Sequence, residues 1–234
     1  MQLMCDVSAE IVNAFRSKQM RCDVAVGEES VDLWLHGIIG DDTTQTDSLS
    51  IGRILAANRG KPVTMRVNSP GGLAYDGVAM FNAIKGHDAT TTAVIEGLAG
   101  SAASLAAIAC DHVHCQPGSA FHPHYSLVVA IGHQAEIRDA LLMQERLDTD
   151  LEQMYAEESG RSVKQVKADL IGPNGDGTRF SAEEAVAAGY ADKLIVRPGK
   201  NTKEAATTRD SMLAARVSQF DVMRKTFDSP MRKR

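Results

Sequence analysis

Apolar residues recur along this chain in two rhythms. In residues 31–35, Val31, Leu33 and Leu35 alternate with Asp32 and Trp34, the period of a strand with one buried face. Residues 24–26 read as a strand before it. Residues 63–67, 91–95, 112–115, 120–124 and 193–196 read as strands after it, with 91–95 rich in β-branched side chains. Elsewhere the apolar step lengthens to three and four. Residues 47–58 place Leu49, Ile51, Ile54 and Leu55 on one helical side, and Gly60 supplies the stop. A helix bearing Val78, Phe81 and Ile84 follows, then one over 101–110. The longest pattern, 134–159, carries Ala140, Met143, Leu147, Leu151 and Met154 and ends at Gly160. Ser162 with Gln165, and Ser181 with Glu184, have the spacing of capping boxes. Ser8 caps a first amphipathic helix that the pattern extends to Met20, and a short helix is expected near residues 212–217. Strand–helix alternation predicts an α/β fold with a mostly parallel sheet and crossover helices. Chemistry in such folds gathers at strand ends and helix starts.

Two glycine-rich segments sit at such places and read as turns. The first is Val67-Asn68-Ser69-Pro70-Gly71-Gly72. The second is Gly97-Leu98-Ala99-Gly100-Ser101-Ala102-Ala103-Ser104. Ser101 would stand at the start of a small-residue helix, where backbone N–H groups have no intrahelical partner and the dipole favours negative charge. A serine there can attack a carbonyl while the Ala102 N–H holds the oxyanion. Gly72 is a natural second donor, with Gly71 beside it, because glycine lets a substrate come close. The plainer reading makes Ser101 an N-cap and the glycines turn residues. Ser104, three residues on, is expected inside the helix.

A serine hydroxyl needs a base. His122 and His124 end a short strand ahead of the long helix and would share one strand face, as would His112 and His114. Two such pairs with Cys115 raise a metal site as an alternative, but no further ligand has a recognisable spacing. Asp176, in a loop before a capped helix, is the candidate to orient the base, and Asp169 is a helical alternative.

Composition narrows the setting. The chain has 234 residues, 44% hydrophobic and 24% charged, with a formal net charge of -5, which argues against nucleic-acid binding. Four cysteines match no CxxC pattern, and no targeting segment is evident, which points to a reducing cytoplasm. The run 93–110 is broken by Glu96 and several glycines and serines, so it reads as a buried strand and helix rather than a membrane span. Residues 224–234 are basic and read as a solvated tail or a docking tail for an acidic partner.

Taken together, these segments resemble the Clp protease proteolytic subunits, and most of all those of phages and prophages. The resemblance runs from about residue 31 to about residue 196. Asn68-Ser69-Pro70-Gly71-Gly72 is similar to that family's N-S-P-G-G segment, and Gly97 to Ser104 to its nucleophile segment. The resemblance implies Ser101 as nucleophile, His124 as base with His122 as the lesser candidate, Asp176 as the acid, and Gly72 and Ala102 as oxyanion donors. It implies a crotonase-like spiral of ββα units, with residues 134–159 as a protruding handle. The expected organisation is an N-terminal segment over 1–30, a peptidase domain over 31–197 and a polar tail over 198–234. Neither metal nor cofactor is implied. The implied partners are further copies of the chain in seven-membered rings, single or stacked in pairs, and a polypeptide substrate. A Clp-type ATPase or a phage capsid or scaffold protein would be a further partner. No P-loop is present, so ATP hydrolysis would fall to a partner. Alternatives are a Ser–Lys peptidase, acyl-CoA chemistry on a related fold, and a non-catalytic ring subunit.

Overall fold

The computed structural model of the protein describes residues 22–41 and 45–195. The helix expected over 8–20, the one near 212–217 and the basic end lie outside them. Among the described residues, eight strands form one sheet. Strand β1 (Cys22–Val26) pairs antiparallel with β2 (Val31–Ile39). Parallel partners then follow: β3 (Val63–Gly72), β4 (Thr91–Gly100), β5 (His112–Cys115) and β8 (Lys193–Leu194). The sequence's alternation sets the layering. Val31, Leu33, Leu35, Val63, Met65, Val67, Ala93 and Ile95 are buried, while Asp32, Trp34, Arg66 and Glu96 lie on the other, partly open face.

Six helices complete the described fold. Helix α1 (Ser48–Ala57) is capped by Asp47, whose carboxylate accepts from the Ser50 N–H at 2.9 Å. It buries Ile51 and Leu55, but Leu49, expected on the same side, is exposed. Helix α2 (Ala74–Lys85) buries Met80, Phe81 and Ile84. Helix α3 (Ala102–Ile108) is buried along its whole length. Its alanines and Ser104 allow that, since small side chains let a helix lie close to its neighbours on every side. Helix α4 (Gln134–Ser159) coincides with the expected long pattern and ends at Gly160 in the left-handed conformation. It buries Leu147, Leu151 and Tyr155 in its second half, while Met143 in its first half is exposed. Helices α5 (Val163–Ile171) and α6 (Ala182–Ala188) start at the two capping boxes read from the sequence.

One expectation is corrected. The glycine-rich segments are not turns after their strands but continuations of them. Strand β3 runs on through Gly72 and β4 through Gly100, each after a shift in register, between Val67 and Ser69 in the β3–β4 pairing. Glycine is what makes this possible. A Cβ at Gly72 would strike the Ile39 backbone, and one at Gly100 would stand 3.0 Å from the Pro70 carbonyl oxygen. Beyond the shift, β4 changes partner. Thr92 to Ile95 pair with β5, whereas Leu98, Ala99 and Gly100 pair in parallel with the three-residue strand β6 (Ala120–His122). Strand β6 also pairs antiparallel with β7 (Phe180–Ser181).

A cluster of aromatic rings holds this second layer in place. Tyr190 stacks on Phe121 at 5.0 Å, meets Tyr155 edge-on at 6.3 Å and lies 5.2 Å from Phe180. Behind it, the Tyr155 hydroxyl lies 2.7 Å from Ser104 Oγ, which itself donates to the Ser101 carbonyl at 2.7 Å. Tyr155→Phe removes the first bond and spares the second. Its expected cost is about 1 kcal/mol, or roughly 2–4 °C of thermal midpoint by differential scanning fluorimetry. No loss of midpoint would mean that the hydroxyl contributes nothing.

Candidate active site

Ser101 joins β4 to α3 with φ 52 and ψ -128. Residues lacking a Cβ ordinarily occupy this region, so a serine in it is strained and held by its surroundings. Three contacts hold it. Its N–H donates to the His122 carbonyl at 2.8 Å. Its carbonyl accepts from the Ser104 and Leu105 N–H groups as α3 begins. Gly71 lies against its side, where a Cβ would stand 2.5 Å from Ser101 Cβ and 3.0 Å from the Ala102 nitrogen. Gly77 of α2 makes the same kind of close approach to Ala102.

The segments that carry the two expected oxyanion donors meet here, with Gly71 against Ser101 and Ala102. Ala102 is the first residue of α3, so its N–H has no intrahelical partner. The Gly71 N–H donates to Ser69 Oγ at 3.1 Å, so it is already engaged. Ser69 Oγ in turn donates to the Gly37 carbonyl at 2.5 Å and fixes the bend.

His122 meets Ser101 through its main-chain carbonyl, and His124 follows two residues on. His122 ends β6, and the rings of His122 and His124 are 5.3 Å apart. Their hydrogen bonds assign different tautomers. His124 Nδ1 lies 2.6 Å from the Tyr125 carbonyl oxygen, which can only accept, so Nδ1 carries the proton and Nε2 keeps its lone pair. His122 Nε2 donates to the Asp176 carbonyl at 2.9 Å, so its lone pair is at Nδ1. Burial holds the His122 pKa below its ordinary value, opposed by that carbonyl bond.

The two acid candidates fare differently. Asp176 reaches the site through its main-chain carbonyl, and its residue is exposed. The next residue, Gly177, is buried with φ 89, and a Cβ on it would stand 2.6 Å from His124 Cβ and strike the Pro123 carbonyl oxygen. Asp169 is engaged elsewhere: its carboxylate pairs with Arg161 at 2.9 Å and accepts from the Tyr190 hydroxyl at 2.8 Å. The sequence reading missed Tyr125 and the polar residues of α4 that hold it. Tyr125 OH donates to Glu152 at 2.7 Å, and Ser126 donates to Asp148 through both its N–H and its hydroxyl. A polar stripe at Gln144, Asp148 and Glu152 was the available signal. His112 and His114 are stacked with ring centroids 6.1 Å apart, and no group of three or more His, Cys, Asp or Glu among the described residues is placed to hold a metal ion. No described helix is long and apolar enough to cross a membrane.

The lowered His122 pKa has a sign. The unfolded chain takes up the proton first, so this contribution is complete above about pH 6.5 and is lost as pH falls below it. His122→Gln can still donate to the Asp176 carbonyl but cannot ionise. Its thermal midpoint is expected to fall less than that of the wild type between pH 7.5 and 5.5. Equal falls would place the acid sensitivity in other groups.

Comparison with known proteins agrees with this architecture. A family model described as Clp protease matches residues 33–198. Among solved structures, the fold is similar to that of a ClpP1 mutant from Listeria monocytogenes, with a TM-score of 0.59 and 20% identity over 71% of this chain and 91% of that one.

Proposed function

The chain belongs to the Clp protease family, and on that premise we propose that it is a serine endopeptidase with Ser101 as nucleophile and His124 as base. The observation that carries the reading is the strained Ser101, clamped between the His122 carbonyl and Gly71 at the mouth of α3. His124 Nε2 takes the Ser101 proton as Oγ attacks the scissile carbonyl. The Gly72 and Ala102 N–H groups hold the oxyanion. His124 then returns the proton to the leaving amine, and water hydrolyses the acyl-enzyme by the same route in reverse. The acid role that the resemblance gives Asp176 is not required to set the tautomer, because the Tyr125 carbonyl already does so.

Self-assembly into a ring is part of the proposal. Leu127, Val129 and Ile131 are 89%, 91% and 95% exposed, and Leu141, Leu142 and Met143 of α4 are about half exposed, an apolar strip suited to another copy of the chain. The resemblance suggests rings of seven, single or paired. The Gly/Ala-rich Ser101 segment and the extra tail favour the phage-type role, maturation of a capsid or scaffold protein. The other role is degradation with a Clp-type ATPase in the cytoplasm.

A fluorophosphonate serine-hydrolase probe tests the chemistry. Wild type is expected to label and Ser101→Ala not, with the same sedimentation profile. His124→Ala is expected to lose at least about 100-fold in labelling rate, the scale of a general base. Labelling that survives in Ser101→Ala would remove Ser101 from the mechanism. An assembled wild type that never labels would favour a non-catalytic ring.

Gly71→Ala forces a Cβ onto Ser101 at a φ of 98. The same assay is expected to show a loss of about tenfold or more, since misplacing a reacting group by about 1 Å costs up to about 100-fold. Wild-type rates would show that the contact with Gly71 does not position the serine.

A further inference from the structure

We infer that Asp148, on the long helix α4, is the carboxylate that orients the base, acting on His124 through the Tyr125–Ser126 peptide group. The inference rests on the reading of His124 as the base. The Tyr125 carbonyl accepts the His124 Nδ1 proton at 2.6 Å. The N–H of that same peptide group, on Ser126, donates to Asp148 Oδ1 at 2.9 Å, and Ser126 Oγ donates to the same oxygen at 2.7 Å. A trans peptide is planar with its C=O and N–H pointing opposite ways. Carboxylate, peptide and imidazole therefore form one continuous line of hydrogen bonds. Such chains polarise one another. The negative charge at the N–H end makes the carbonyl a stronger acceptor and stabilises the imidazolium that forms during attack.

The surroundings hold this relay from both sides. Gln144 Nε2 donates to the Ser126 carbonyl at 2.6 Å. The Tyr125 hydroxyl donates to Glu152, whose other oxygen pairs with Lys167 at 2.9 Å. Gln144, Asp148 and Glu152 stand four residues apart on one face of α4. The 176–177 loop comes close to His124 at Gly177, where a Cβ would stand 2.6 Å from His124 Cβ and strike the Pro123 carbonyl oxygen, so no side chain fits at that point. Asp148 is thus a positioning residue: it does not touch the reacting atoms.

The test is the second-order rate of fluorophosphonate labelling against pH, for the wild type, Asp148→Asn, Asp148→Ala and Asp176→Asn. Asn at 148 can still accept from the Ser126 N–H but carries no charge. It is expected to slow labelling about tenfold and to move the acid limb of the profile to lower pH, because losing a nearby negative charge disfavours the imidazolium. Asp148→Ala is expected to lose more. A merely structural role would lower the thermal midpoint and leave the limb in place. Asp148→Asn with the wild-type rate and limb would overturn the inference, as would a shift found in Asp176→Asn instead. Histidine 15N NMR of the wild type needs no variant: neutral His124 is expected to be protonated at Nδ1, and protonation at Nε2 would remove the relay. Failure of the broader reading looks different, since then the wild type itself does not label at Ser101.

Discussion

One hydrogen bond ties the site together, from the Ser101 N–H to the His122 carbonyl at 2.8 Å. It is the last rung of the short β4–β6 ladder, in which Leu98, Ala99 and Gly100 face Ala120, Phe121 and His122. Through it the strand that leads into Ser101 and the strand that ends at His122, two residues before His124, become one piece. Strand β4 can serve both purposes only because it changes partner midway, leaving β5 after Ile95. Glu96 and Gly97, between the two ladders, are where the sheet opens into its second layer. The Asn68 side chain fills that opening by accepting from the Leu98 N–H at 3.3 Å, and a Cβ on Gly97 would occupy the same space, 2.5 Å from the Asn68 oxygen. The glycines and Asn68 are thus one structural device.

That rung would mean little if β6 could move. Phe121 is fully buried against Tyr190, and Tyr190 is fixed by Asp169, by Tyr155 and by Arg161, whose guanidinium lies 5.4 Å over its ring. Tyr155 then bonds Ser104, and Ser104 bonds the Ser101 carbonyl. The serine is therefore held at both of its backbone groups: the N–H by β6, the carbonyl by its own helix. Both routes lead back to the same aromatic cluster. A positive φ at a non-glycine residue persists only where its neighbours over-determine it, and here they do.

Much of this was legible in the sequence, and what was not has a physical cause. The period of two in Val31, Leu33 and Leu35 and the steps of three and four in α4 gave the layers, because burial on one face writes that pattern directly. Capping boxes gave the starts of α5 and α6. The paired glycine-rich segments pointed to two stretches of chain that meet, and Gly71 does lie against Ser101 and Ala102. Their shape was misread: Gly71 and Gly100 signal turns by propensity, yet here they permit two strands and a serine to approach closer than a Cβ allows. Leu49 and Met143 carry the apolar period but remain exposed. Periodicity reports that a face is apolar and says nothing of what covers it. The orienting contact of His124 was illegible for another reason: its acceptor is a main-chain carbonyl, which every residue has.

Helix α4 answers to two environments at once. Its second half is a core element through Leu147, Leu151 and Tyr155. Its first half carries exposed Ile137, Leu141, Leu142 and Met143. Isolated helices are marginal in water, and most helical stability comes from packing an apolar face. The described residues supply that packing only from Leu147 onward. Gln144 and Asp148 sit at this boundary, and both bond Ser126. Residues 127–131 leave from the same point with their apolar side chains outward. The peptide that fixes the His124 tautomer is therefore placed where the core-packed half of the helix begins. In this arrangement the tautomer depends on core packing rather than on whatever covers the apolar strip.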